Sequence, residues 1–206
     1  MNSPVPVIAS IGEGHGEERA LHGLLNRLVP HLLPGKYAVI QRSHRLPRDR
    51  MLKKNHLEHA LTIVMTRSPR PTGVLALLDS DDDCPVELAR TLHEHAQATH
   101  HDVPLVAVAA VREFEAWFLA GAAGLAGRAG LPHDLQPPPR PESIRGAKEW
   151  LSRQMPPGAT YQETAHQPSL AAQFDLDAAR AAASSFDKFC RDVKFLVTGE
   201  RERQVL

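Results

Sequence analysis

The sequence predicts an α/β protein built on a mainly parallel sheet of about four strands flanked by helices, with a helical C-terminal extension. Three observations predict it. Apolar runs of strand length alternate four times with helical stripes; the runs are continuous rather than alternating; and 206 residues leave room for one such sheet plus an appended piece. Alternation of the two textures marks strands joined by crossover helices. Continuous apolar runs suit strands covered on both faces.

Residues 5–11 are β-rich and end at Gly12. Residues 17–33 place Leu21, Leu24, Leu25, Leu28, Val29, Leu32 and Leu33 at helical spacing before Pro34-Gly35 stops them. Residues 37–41 form a second short strand, and a basic connector leads to a helix over 56–67. Residues 73–78 form the third strand, running into Asp79; Pro85 opens a helix over 86–98. Residues 105–111 form the fourth strand and continue into a helix over 112–120. A Gly-rich stretch (121–130) and a Pro-rich loop (131–141) follow. Helical texture returns over 142–154 and 168–196, with a break near Ser184-Ser185. The division expected is an α/β domain over 1–130 and a linker with helical extension over 131–206.

Charge and composition exclude several classes. Lys+Arg and Asp+Glu number 24 each, so a polyanion must meet a local patch rather than a basic protein. Cys84 and Cys190 form no CxxC pair, which argues against a cysteine zinc site and for a reducing, cytoplasmic setting. No apolar run approaches the roughly 20 residues that cross a bilayer. His93-Glu94-His95 and His100-His101 lack a third placed ligand, and no GxxxxGK[ST] or GxSxG occurs.

Open parallel sheets carry their chemistry at the carboxyl ends of the strands, and the acids collect there. The first strand finishes in Gly12-Glu13-Gly14-His15-Gly16-Glu17-Glu18, the third in Asp79-Ser80-Asp81-Asp82-Asp83, and the fourth runs into Arg112-Glu113-Phe114-Glu115. A right-handed crossover brings the first and third to one edge. Clustered acids repel unless a cation sits among them, which calls for a hard divalent ion, Mg²⁺ or Mn²⁺. In an extended segment, Asp79 and Asp81 would project to one side about 6.6 Å apart, with Asp83 in the same phase. The plainer reading is a solvated acidic loop with Asp83 capping the next helix. A strand-ending Glu13 on the same edge favours the ion.

Glu13-Gly14 after the first strand and Asp79-x-Asp81-x-Asp83 after the third resemble the Toprim domain of topoisomerases, primases and overcoming-lysogenisation-defect nucleases. More closely, the chain is similar to a bacterial Toprim-like family encoded beside AAA-type ATPases in defence-like gene pairs. Glu13-Gly14-x-x-Glu17, Leu78-Asp79-x-Asp81-x-Asp83-Cys84-Pro85 and Arg112-Glu113-Phe114-Glu115-Ala116-Trp117 carry the similarity. Lys148, the segment from Tyr161 to Gln167, and Ser185-Phe186-x-x-Phe189 are weaker echoes. The resemblance implies that Glu13 is a general acid/base or ligand. It implies that Asp79, Asp81 and Asp83 hold Mg²⁺ against a phosphodiester, with Glu113 serving a second ion. Asp82 is an extra acid within the motif.

The remaining candidates are basic. Residues 42–54 hold six Lys or Arg against one acid, so Arg45, Arg48 and Arg50 are candidate phosphate contacts, against the reading of a solvated loop. Lys148 on its helix is a candidate transition-state stabiliser. Trp117 and Phe118 read as core. The function expected is a Mg²⁺-dependent nuclease module of Toprim type, with nucleic acid and an AAA-type ATPase as partners, no membrane, and a homodimer left open. The alternatives are a catalytically inactive docking subunit of the same fold, and a phosphatase or phosphotransferase using Asp79 as nucleophile.

Overall fold

The computed structural model describes residues 4–97 and 103–202. Strands β1 (Val7–Gly12), β2 (Val39–Ile40), β3 (His44–Arg45), β4 (Gly73–Asp79) and β5 (Leu105–Ala110) form one sheet. All their pairings are parallel and the order is β2-β1-β4-β5, with β3 also on β1. Both β2 and β3 pair with β1, at Val7/Ile8 and at Ile11/Gly12, along the edge that β4 leaves open. They are two short pieces of one edge strand. β3 falls in the stretch whose sequence reads as a basic connector, because two residues are too few to show a period.

Nine α-helices are described: α1 (His15–Leu32), α2 (Arg48–Met51), α3 (Lys54–Met65), α4 (Pro85–Gln97), α5 (Ala116–Ala120), α6 (Ala147–Gln154), α7 (Glu163–Ala171), α8 (Leu176–Ala182) and α9 (Ser184–Thr198). Successive strand residues enter opposite cores, as the pleat demands. Leu75, Leu77, Val106 and Val108 join Leu21, Leu24 and Leu28 of α1 on one face. Val74, Ala76, Leu78, Ala107 and Ala109 join Leu57, Leu61, Leu88 and Leu92 of α3 and α4 on the other. Continuous apolar strands thus reflect a sheet buried on both sides.

The first of those cores runs on through Leu151, Leu170, Phe174, Phe186, Phe189 and Leu196, so the segment 131–196 helps cover one face of the sheet. Trp117 is its aromatic centre, with ring centroids 5.1 Å from Phe114 and Phe186 and 4.9 Å from Phe189. Its indole N–H donates to Ser185 Oγ at 2.8 Å, which meets the cost of burying that polar edge. Arg27 of α1 donates to the Ala171 and Phe174 carbonyls at the end of α7.

Several element boundaries differ from the sequence expectation. The helix expected over 112–120 begins only at Ala116, because Arg112 is left-handed at φ 65 and interrupts the helical path. The stretch 142–154 divides into a 3₁₀ turn, Pro141–Ser143, and α6, with left-handed Gly146 (φ 72) between them. Pro168 lies inside α7 rather than opening a helix, and breaks fall after Ala171 and at Ala183. Ala98, His100 and His101 lie outside the described residues. Among the described residues no helix is long and apolar enough to cross a membrane.

Candidate active site

Three adjacent strands deliver three carboxylates to one place. Glu13 follows β1, and its Oε2 accepts from the Asp79 N–H at 3.3 Å. Asp79 is the last residue of β4, and its Oδ1 accepts from the Phe114 N–H at 2.7 Å. After β5 the chain turns through left-handed Arg112, and Glu115 follows, fully buried. Glu115 Oε1 accepts from the Tyr161 hydroxyl at 2.9 Å and from Gln167 Nε2 at 2.8 Å. A fourth acid comes from the first turn of α1. Glu17 Oε2 accepts from the Glu13 N–H at 2.8 Å and from the Gly14 N–H at 3.4 Å, capping the helix by reaching back. Asp79, Glu17 and Glu115 are buried, Glu115 completely.

Lys148 of α6 is one cation near these acids, and Arg48 is another. The Lys148 Nζ stands 2.7 Å from Glu163 Oε1, and the Lys148 backbone N–H donates to Glu113 Oε2 at 3.3 Å. Burial pulls this ammonium toward neutrality, but Glu115, Glu163 and Asp79 overcome it and leave its pKa raised, so it stays charged.

Burial dominates the acids as well. It lifts Glu13 above its ordinary range, with Asp81 adding and the Asp79 N–H opposing. It lifts Glu17 from 4.5 to about 7, with the N–H bonds of Glu13 and Gly14 opposing and the Glu13 and Glu115 charges adding. Asp79 is pushed well above its ordinary value by burial and then by the Glu17, Glu115 and Glu13 charges. Glu115 is raised by burial against Lys148, Gln167 and Tyr161.

The acidic loop after β4 does not have the geometry its spacing suggests. The strand ends at Asp79, and Asp81 turns back in the left-handed region at φ 49. The extended alternation expected of Asp79, Asp81 and Asp83 is therefore absent: Asp79 is buried while Asp81 and Asp83 are exposed. Arg48 takes up those two, with Nε 3.6 Å from Asp81 Oδ2 and its guanidinium paired with Asp83. Arg48 Nε also donates to the Asp79 carbonyl at 3.1 Å. Arg45 and Arg50 point to solvent on β3 and α2, and His15 is exposed at the start of α1. Asp82 pairs with Arg112 and Arg145.

Glu17 and Glu115 belong to the cluster although spacing alone did not single them out as site residues. A lone carboxylate inside Phe114-Glu115-Ala116-Trp117-Phe118 is the signal that could have found Glu115, since a charge in so apolar a stretch must be buried with partners. Those partners, Tyr161 and Gln167, come from far along the chain.

For a hard cation the donor set fits by its chemistry. Every candidate donor is an oxygen, and Glu115 Oε2 and Gln167 Oε1 are buried acceptors with no hydrogen-bond partner. As the side chains stand, no three His, Cys, Asp or Glu among the described residues are grouped to hold a metal ion. Glu13 and Asp79 are instead turned onto backbone amides.

Fold and site together define a parallel-sheet α/β protein with a buried carboxylate cluster and one lysine at the carboxyl edge of its sheet. The chain belongs to the family described as a domain of unknown function, DUF4276, whose model matches residues 12–194, a span holding every member of the cluster. Neither curated proteins nor solved structures provide a match.

Proposed function

We propose that this chain is a metal-dependent phosphodiesterase of Toprim type acting on nucleic acid, working with an AAA-type ATPase partner. The observation that carries the reading is the convergence of Glu13, Asp79 and Glu115 from three adjacent strand ends, with charged Lys148 and Arg48 close by. Such a cluster costs folding free energy, and sites that keep buried, perturbed acids are commonly functional. The resemblance in Glu13-Gly14-x-x-Glu17 and Asp79-x-Asp81 supports the reaction class, and that to families encoded beside ATPases supports the partner.

Glu13, Asp79 and Asp81 would hold Mg²⁺ or Mn²⁺, with the unpartnered oxygen of Glu115 as a further donor. When bound, the ion polarises the phosphodiester and stabilises the charge that develops on its oxygens. Glu13 is half-buried, and its raised pKa brings it nearer to neutrality, where a carboxyl both takes and returns a proton. Lys148 keeps its charge beside Asp79 and Glu115, and so faces developing negative charge. Asp79, 9 % exposed and turned onto the Phe114 amide, is poorly presented as a phosphatase nucleophile.

A docking module of the same fold is the second reading. It is favoured by the fact that these acids already have internal partners in the amides, Tyr161, Gln167 and Lys148. Glu13→Gln separates the two, because it deletes a charge at nearly constant shape. With Mg²⁺, on DNA and RNA and with the neighbouring gene's ATPase present, the variant should lose cleavage by about 10²–10⁴-fold while its circular dichroism is unchanged. Full cleavage in Glu13→Gln would overturn the role given to Glu13, and no Mg²⁺-dependent cleavage by the wild type would favour the docking module instead.

A further inference from the structure

Asp82 breaks the spacing of the acidic motif, and the structure turns it away from the carboxylate cluster. Its carboxylate is exposed, yet two guanidiniums hold it. Arg112 pairs with Oδ1, and Arg145 Nη1 stands 2.7 Å from Oδ1 and 3.0 Å from Oδ2. Exposed pairs of this kind contribute little to stability. The backbone beneath them is nevertheless strained in two places. Arg112 (φ 65) and Asp81 (φ 49) are both left-handed without being glycine, and the Asp81 N–H donates to the Arg112 carbonyl at 2.9 Å. Arg112 is pinned further by its N–H on Ser80 Oγ at 2.9 Å and by its Nη1 on the Asp81 carbonyl at 3.1 Å. Strain of this kind persists where the surroundings over-determine it, and it gathers at binding sites. Here it aims a guanidinium at the mouth of a cleft of about 160 Å³ lined by Asp81, Asp82, Arg112, Glu113, Arg145 and Gly146. The cleft therefore opens off the acidic edge itself.

Building on the phosphodiesterase reading above, we propose that Arg112 and Arg145 are the seat of a backbone phosphate of the nucleic-acid strand, and that Asp82 holds the seat until the phosphate displaces it. A carboxylate between two guanidiniums presents two oxygens and one negative charge, as a phosphodiester does through its non-bridging oxygens. The exchange breaks only solvent-exposed ion pairs and leaves no buried charge behind. Arg112 is fixed and sets the position, while Arg145, with 68 % of its side chain exposed, has room to follow the incoming oxygen. The arginines of the basic segment are placed differently: Arg48 is committed to Asp79, Asp81 and Asp83, and Arg45 and Arg50 are exposed without lining this cleft.

The test uses the full chain, fluorescence anisotropy, and a fluorescein-labelled 20-nucleotide DNA, single-stranded and duplex. Asp82→Asn should bind DNA about tenfold more tightly than Asp134→Asn, which changes net charge equally at an exposed residue that does not line the cleft. Arg145→Gln should weaken binding about tenfold and flatten the salt dependence by about 0.9 log units per lost phosphate contact on duplex DNA. Both side chains are exposed, so neither change threatens the fold. Asp82→Asn binding no better than Asp134→Asn, or Arg145→Gln keeping the wild-type salt slope, overturns the seat. Inorganic pyrophosphate is the small-anion arm: if it alone responds to the two variants, the nucleic-acid assignment is overturned. Cleavage measured on the same preparations keeps the two ideas apart. Wild-type cleavage without tightening in Asp82→Asn sinks the seat and spares the phosphodiesterase. Tightening without any cleavage supports the seat and counts against the phosphodiesterase.

Discussion

Glu17→Gln tests whether the carboxylate cluster stores unfavourable charge in the metal-free protein. Glu17 is buried, and its carboxyl is lifted from 4.5 to about 7. The folded state therefore binds its proton more tightly than the unfolded chain does. For an acid displaced in this direction, stability is highest below about 4.5, falls as pH rises toward 7, and stays reduced above that. At about 1.4 kcal/mol per pH unit, ionising Glu17 costs the folded state up to about 3 kcal/mol. Glutamine keeps the oxygen that accepts from the Glu13 N–H and removes the charge that also raises Asp79. In EDTA at pH 8, the variant should be more stable by about 2–3 kcal/mol, a rise in Tm of roughly 5–10 °C for a chain of this size. At pH 5 the two proteins should nearly coincide. Urea and thermal unfolding at pH 5, 6, 7 and 8 measure this directly. Parallel profiles for wild type and variant, or a variant less stable at pH 8, would refute the account of a charge held at a cost inside the cluster.

Two further outcomes follow from the same geometry. Mg²⁺ or Mn²⁺ should raise the melting temperature by mass action, through a stabilisation of about 2.7 kcal/mol at a hundredfold excess over Kd, and Asp79→Asn with Asp81→Asn should abolish the rise; an equal rise in the double variant would place the ion elsewhere. Gly16→Ala should cost about 1–3 kcal/mol of stability and so lower the urea midpoint, despite alanine's better helix propensity, because its Cβ would stand 2.1 Å from Gln167 Oε1 and 2.8 Å from the Glu163 carbonyl. A shift of the Gln167 amide would disturb its bond to Glu115 and a shift of the α7 backbone is costly, so an unchanged or raised midpoint would contradict the close packing of α1 on α7.

By itself the sequence determined whatever depends on short-range period and on strand ends. The Leu stripe of α1, the continuous apolar runs of β1, β4 and β5, and the buried Trp117 were all legible, because the period of a buried strand or helix is written in adjacent residues. The meeting of Glu13 with Asp79 was legible for a similar reason, since parallel crossovers return successive strand ends to one edge. Only the tertiary structure decided the rest. Local spacing placed Asp79, Asp81 and Asp83 in one row, but the strand stops at Asp79 and a left-handed turn sends the other two to Arg48. Lys148 stood out in the sequence as a candidate, but the groups it would face did not. Tyr161 and Gln167 reach Glu115 across long separations in sequence, from the segment that runs into α7, and Lys148 of α6 pairs with Glu163 of α7 while feeling the charges of Glu115 and Asp79. A carboxylate's partner is chosen by which groups are buried beside it in the low-dielectric interior, and that choice is made by packing, not by neighbours along the chain.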